Sequence, residues 1–188
     1  MAVMITVGTL AALLILGVGY GIHMYNDLVS ERLKVENQWS QIDIVLKQRN
    51  DTIPNLVQIV QGYAIHEKEL LEHVTQARSQ YMKAGNGESA VRAAGNLSDV
   101  MSKFFAVAEG YPELTANRNF MELQNQYFDL ERKAADFRQL YNDTAMRYNR
   151  LVLSFPSSMI AGIFHFQQKP FFEVQEDVSK SPEIRFEQ

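Results

Sequence analysis

The stretch HEKELLEH (66–73) holds two histidines and three glutamates in eight residues, and its opening His-Glu pair begins the signature of zinc proteases. That chemistry needs two histidines four residues apart on a helix, so that both rings meet one ion while the glutamate between them activates water. Leu70 stands four residues beyond His66, and the second histidine is His73. On a helix the two rings would share a face but lie about 10 Å apart along the axis, too far for one tetrahedral ion. A carboxylate-bridged di-metal site needs Glu-x-x-His pairs on two helices, and the sequence contains none. It also has no cysteine, no G-x-S-x-G elbow and no glycine-rich phosphate loop. No catalytic, metal-binding or cofactor-binding residue is therefore assigned. HEKELLEH reads instead as the polar face of a helix, with Leu70 and Val74 turned toward a core.

The elements around this stretch are helical. Only five prolines occur in 188 residues, four of them from 112 onward, which leaves long stretches free for helices. The balance of 18 basic and 22 acidic residues, with no run of Lys or Arg, gives no basis for nucleic-acid binding. The first 25 residues carry no charge apart from a possible one on His23, and residues 2–22 as a helix would be about 31 Å long. That matches a bilayer core. No basic residue precedes the apolar run and no small-x-small site follows it, so it reads as an uncleaved anchor rather than a signal peptide. Tyr20 and Tyr25 suit the headgroup level. The first basic residues, Arg32 and Lys34, follow the span, which places the remainder in the cytoplasm. Gly17 and Gly21 at GxxxG spacing, with Gly8 and Ala12 as a second small pair, would let two such spans approach closely.

Four amphipathic helices are expected beyond the span. The first carries Leu28, Val35, Trp39, Ile42 and Leu46 on one stripe. The second is expected to start at Asn50–Pro54, where proline fits a first turn, and to run to about Tyr81 through Leu56, Ile59, Val60, Tyr63, Leu70, Val74 and Ala77. One long helix kinked at Pro54 is the alternative. The third covers about 89–109, and the fourth starts from a cap at Asn117 or Asn119 and runs to 154. Short connections favour an all-α, antiparallel up-and-down bundle. Alternating directions would return the chain after 154 to the bilayer, where Phe155, Ile160, Ile163, Phe164, Phe166, Phe171 and Phe172 form an apolar segment suited to a membrane interface or a partner. Folding back over the open end of the core is the other reading. The expected parts are thus an anchor (1–25), a four-helix bundle (26–155), the apolar segment (156–175) and a polar tail (176–188).

Read in order, YNDLV (25–29), WSQIDIVLKQRNDTIPNLV (39–57), QGYAIHEKELLEHVTQARS (61–79), AEGYPELTANRNFMELQ (108–124), RQLYNDTAMRYN (138–149) and SFPSSMIAGIFHF (154–166) closely resemble the LemA family over nearly the whole chain. The resemblance implies a membrane-anchored helical-bundle protein of the bacterial inner membrane, without enzymatic activity or cofactor. The family-like positions are Arg49, Asp51, Pro54, Tyr63, His66, Glu67, Tyr141 and Asn142, and their residue types fit helix-end capping and packing. The chain departs from the family at 131–134, where Glu-Arg-Lys-Ala stands in place of the usual Glu-Asn-Arg-Ile. The expected role is a self-associating scaffold or adaptor whose partners are membrane lipid, other copies of itself, and another inner-membrane protein such as a protease. A membrane-remodelling coat is the further alternative.

Overall fold

The computed structural model describes residues 1–63, 67–85 and 88–172, without the side chains of Ala2, Val3 and Glu88. Among the described residues the protein is all-helical and has no strand. Helix α1 (Ala2–Gln61) is followed by α2 (Lys68–Lys83), α3 (Glu88–Ala108), the single turn α4 (Pro112–Thr115), α5 (Arg118–Leu153) and the short α6 (Ser157–Ile163). The tail expected at 176–188 lies outside the described residues.

The expected helix start at residues 50–54 is corrected, because α1 runs through Pro54 and ends only at Gln61. Proline has no N–H for the carbonyl of Asn50, and its ring crowds that turn. One side chain compensates. The Arg78 guanidinium donates to the Asn50 carbonyl at 3.4 Å. The helix then closes through tighter bonds, from Gly62 N–H to Ile59 O and from Tyr63 N–H to Val60 O.

This shift in boundaries changes which residues of α2 are buried. The helix buries Leu71, Val74, Ala77 and Tyr81. Leu71 replaces Leu70 in the expected stripe, and Tyr63 lies outside it at 39% exposure. A periodicity counted from Pro54 does not carry across the interruption after α1. At the far end of α2, Gly85 takes φ +68° just beyond the C-cap Ala84, a left-handed position that favours glycine. The Asn117 side chain caps α5, its Oδ1 accepting from Phe120 N–H at 3.2 Å.

The described residues form two compact units, one of Asn37–Gln139 and the other of Met1–Glu36 with residues 140–172. In the first, Ile42, Ile53 and Leu56 of α1 are buried with Val74 of α2, Leu97, Met101 and Phe104 of α3, and Phe120, Leu130 and Ala134 of α5. Helices α2 and α3 pack together as a hairpin. Phe105 centres an aromatic cluster, with its ring 5.3 Å from Tyr127 and 4.8 Å from Phe128. The second unit has a smaller core of Leu28 and Val35 from α1, Tyr141, Ala145 and Tyr148 from α5, and Ala161 from α6. Each fully buried Leu, Ile, Val, Phe or Met side chain among these contributes roughly 1.5–3 kcal/mol, and the alanines much less.

Candidate functional site

In the first unit the most heavily constrained polar group is Arg49, which is fully buried. Its Nη1 donates to Ser98 Oγ at 2.8 Å and to the Glu131 carboxylate, and its Nη2 donates to the Ala94 carbonyl at 3.2 Å. The guanidinium lies 5.8 Å from the Tyr127 ring centre. One side chain of α1 therefore reaches both α3 and α5, and its fork of donors suits that task. Burial, aided by Glu131 and opposed by Arg49, pushes the Tyr127 hydroxyl up to about 12. Burial also lowers the pKa of Arg138. Tyr127 Oη and Arg49 Nε have no hydrogen-bond partner among the described residues. The cluster joins helices by charge-assisted bonds, and the Ser98 hydroxyl within it accepts from Arg49 and lies 3.0 Å from the Ala94 carbonyl and 3.2 Å from the Glu131 carboxylate.

The second unit holds the chain after α5 against α1 and α5. Ser157 Oγ donates to the Leu151 and Ser154 carbonyls at 2.7 and 2.9 Å and so closes the end of α5. Helix α6 ends in a Schellman motif, with Phe166 N–H bonded to Ala161 O and His165 N–H to Gly162 O. His165 takes the left-handed position at φ 55°, where glycine is the usual residue. The extended chain beyond it is gripped by two asparagines. Asn149 donates to the Lys169 carbonyl and accepts from its N–H, both at 2.8 Å. Asn142 does the same with Phe172, at 3.0 and 2.8 Å. Seven helical residues rise about 10.5 Å, and three extended residues cover a similar distance, so the two ladders stay in register. The Tyr141 hydroxyl donates to the Pro170 carbonyl at 3.0 Å, and Lys169 pairs with Glu36 at 3.6 Å.

This arrangement places the residues singled out from sequence. Asp51 is exposed, and Pro54 sits within α1. Tyr63 Oη accepts from Asn117 at 3.1 Å, while the Glu67 carboxylate accepts from the Tyr111 hydroxyl at 3.0 Å. His66 lies outside the described residues, and His73 is exposed on α2. Gly8 and Gly17 have open space where a Cβ would stand, Ala12 is exposed, and Gly21 faces Ile160 Cδ1 at 3.7 Å. Phe164 packs tilted and Phe166 edge-on against Tyr25, at 4.7 and 5.7 Å, Arg32 lies 5.5 Å from the Phe166 ring centre, and Phe172 packs on Tyr141 at 4.9 Å. Phe155, Ile163, Phe164 and Phe171 remain more than half exposed. Sequence reasoning missed Asn149 and Glu131 as contact residues. The signal for the first was present, since YNDTAMRYN repeats Tyr-Asn at an interval of seven, which returns to one helix face.

Among the described residues no three His, Asp or Glu side chains converge as metal ligands. A concavity along α2 is lined by Lys68, Glu72, Thr75, Gln76 and Ser79 and is open to solvent. It gathers no pair of groups suited to proton transfer.

Comparison with known proteins gives relatives over most of the chain. Magnetosome protein MamQ 2 of Paramagnetospirillum magneticum is 20% identical over 175 residues, covering 79% of this chain and 64% of the relative. Magnetosome protein MamQ of Magnetospirillum gryphiswaldense is 20% identical over 174 residues with the same coverage. The chain thus spans a little under two thirds of the length of these curated relatives. The profile of the LemA family matches residues 38–186, which takes in the Arg49 cluster and both asparagine ladders, and the chain belongs to the LemA family.

Proposed function

We propose that this protein is a membrane-anchored scaffold or adaptor without catalytic activity, which self-associates at the bacterial inner membrane. The observation that carries the reading is the continuity of α1. From Met4 to Tyr20 every residue of this helix is exposed, and the same helix supplies core residues to both compact units. Side chains such as Leu10, Leu13, Leu14 and Ile15 are about two thirds exposed, and a helix apolar on all sides needs a nonpolar surround. It is the one helix among the described residues that is long and apolar enough to cross a membrane. The relatives named for the magnetosome support a role at a membrane.

In this reading the span crosses once and the packed units lie in the cytoplasm, following the basic residues Arg32 and Lys34. The stretches of α1, α2, α3 and α5 around the Arg49 cluster form an up-and-down four-helix bundle. Gly8 and Ala12, four residues apart, form the close-approach face for a second span, while Gly17 and Gly21 lie on the opposite side of the helix, where Ile160 meets Gly21. The test is the mass of the full-length protein in mild detergent by light scattering, with identification of whatever co-purifies. A homomer that falls to monomer in Gly8→Leu/Ala12→Leu supports the reading. A monomer in stoichiometric complex with another membrane protein would instead make the chain an accessory subunit. Large homomers that deform vesicles would make it a remodelling coat.

A further inference from the structure

The uncharged run from Leu151 to Gln168, broken only by His165, is too short and too bent to cross a bilayer, yet it exposes large apolar side chains. Leu153 is 62% exposed, Phe155 81%, Met159 60%, Ile163 65% and Phe164 56%. These residues flank the turn at which α5 ends and α6 begins. The contacts made by the same segment fix its level along α1. Ile160 seats on Gly21 and Phe164 packs on Tyr25, about 6 Å farther along the helix. Arg32 then meets Phe166, and Glu36 meets Lys169, about 22 Å beyond Gly21. The chain after α6 therefore climbs beside α1 away from the apolar run, and the exposed apolar tip lies level with the last turn of that run.

We infer that the α5–α6 turn is a wedge that enters the same bilayer leaflet as the end of the α1 span, giving the protein a second, monotopic membrane attachment. The inference rests on the reading of α1 as a span, because the depth of the wedge is measured from it. Lipid is the occupant that this surface fits. The exposed groups are large and apolar, the nearest charges along the chain are Arg150 before the run and Lys169 after it, and Tyr25 occupies the aromatic position of an interface. The two asparagine ladders and the Schellman motif hold the wedge in place from the aqueous side. Two attachments would fix the rotation and tilt of the unit about the span, which a single helix leaves free.

The absence of cysteine allows a direct test with the full-length chain. Single cysteines at Leu14, Phe155, Ile163 and Met146, all exposed positions, are labelled with nitroxide and reconstituted into phosphatidylcholine/phosphatidylglycerol vesicles. Collision rates with oxygen and with a water-soluble nickel chelate report depth. Labels at 14, 155 and 163 are expected to favour oxygen severalfold over the label at 146. Oxygen-favoured accessibility at 14 with water-like values at 155 and 163 overturns the wedge and leaves the span. Water-like values at 14 as well overturn both. In Phe155→Glu/Ile163→Glu, a label at Met159 is expected to move from lipid-like to water-like accessibility. An unchanged value there counts against lipid contact by the wedge.

Discussion

Arg49 keeps a permanent charge at a position without solvent exposure, and the Glu131 carboxylate is its direct counter-charge. Truncating Glu131 leaves that cation buried and unpaired, which costs about 3 kcal/mol or more. Glu131→Ala is expected to lower stability by about that amount, and Glu131→Gln by less, because an amide oxygen still accepts. Arg49→Met/Glu131→Leu should lie closer to the parent than either single truncation, since the pair is removed together. Urea titration of the detergent-solubilised protein, followed through its single tryptophan, measures all three. Tyr127 gives a second prediction with a definite sign. Its folded pKa of about 12 lies above the ordinary 10, so between these values the unfolded chain has lost the phenolic proton while the folded chain keeps it. Stability is intact below pH 10 and falls as pH rises through the window, by about 2–3 kcal/mol in all. Burial raises Tyr81, Tyr141 and Tyr148 in the same direction. Tyr127→Phe should flatten the alkaline slope. At pH 8 it should match or exceed the parent in stability, because the hydroxyl it removes is buried without a partner among the described residues.

The ends of the helices show how far local sequence signals reach. Gly85, Asn117 and the Gly110–Pro112 pair lie where turn and cap chemistry places them, and the expected third and fourth helices match α3 and α5 closely. Pro54 misleads because the rule for proline is local, whereas its compensation comes from Arg78 on the next helix. The asparagine ladders are hidden for a similar reason. Tyr-Asn repeated after seven residues shows that two amides share a face, but not that a segment twenty to thirty residues later returns to meet them. Asn149→Ala removes two hydrogen bonds and leaves the N–H and C=O of Lys169 unpaired, an expected loss of about 2 kcal/mol. Amide exchange gives the sharper readout. The Lys169 amide in Asn149→Ala and the Phe172 amide in Asn142→Ala should exchange much faster, while amides around Phe104 and Phe120 stay as protected as in the parent. Uniform acceleration across the chain would show a global loss of stability rather than release of the strap.

For the molecule as a whole, helical class and the apolar first helix are plain from composition and pattern, because both are sums over many residues. The division into two compact units is not, since α1 and α5 each contribute to both and carry no linker signal at residues 36–37 or 139–140. Orientation across the membrane is likewise a whole-molecule property, and here it rests on few charges. Arg32 and Lys34 follow the apolar run, with Asp27 and Glu31 interspersed. Acidic residues contribute little to the rule that basic flanks stay inside, so under the proposed reading Arg32 and Lys34 would hold the packed units in the cytoplasm. A cysteine at Met146 should resist an impermeant maleimide in spheroplasts of a bacterial host and react in inverted membrane vesicles. Moving the charge, with Ala2→Lys and Met4→Lys added to Arg32→Ala and Lys34→Ala, should transfer part of the labelling to spheroplasts. Full labelling of the parent in spheroplasts would place the packed units outside the cytoplasm. Equal labelling of parent and charge-moved chains would mean that the folded mass, rather than the flanking charge, sets the orientation.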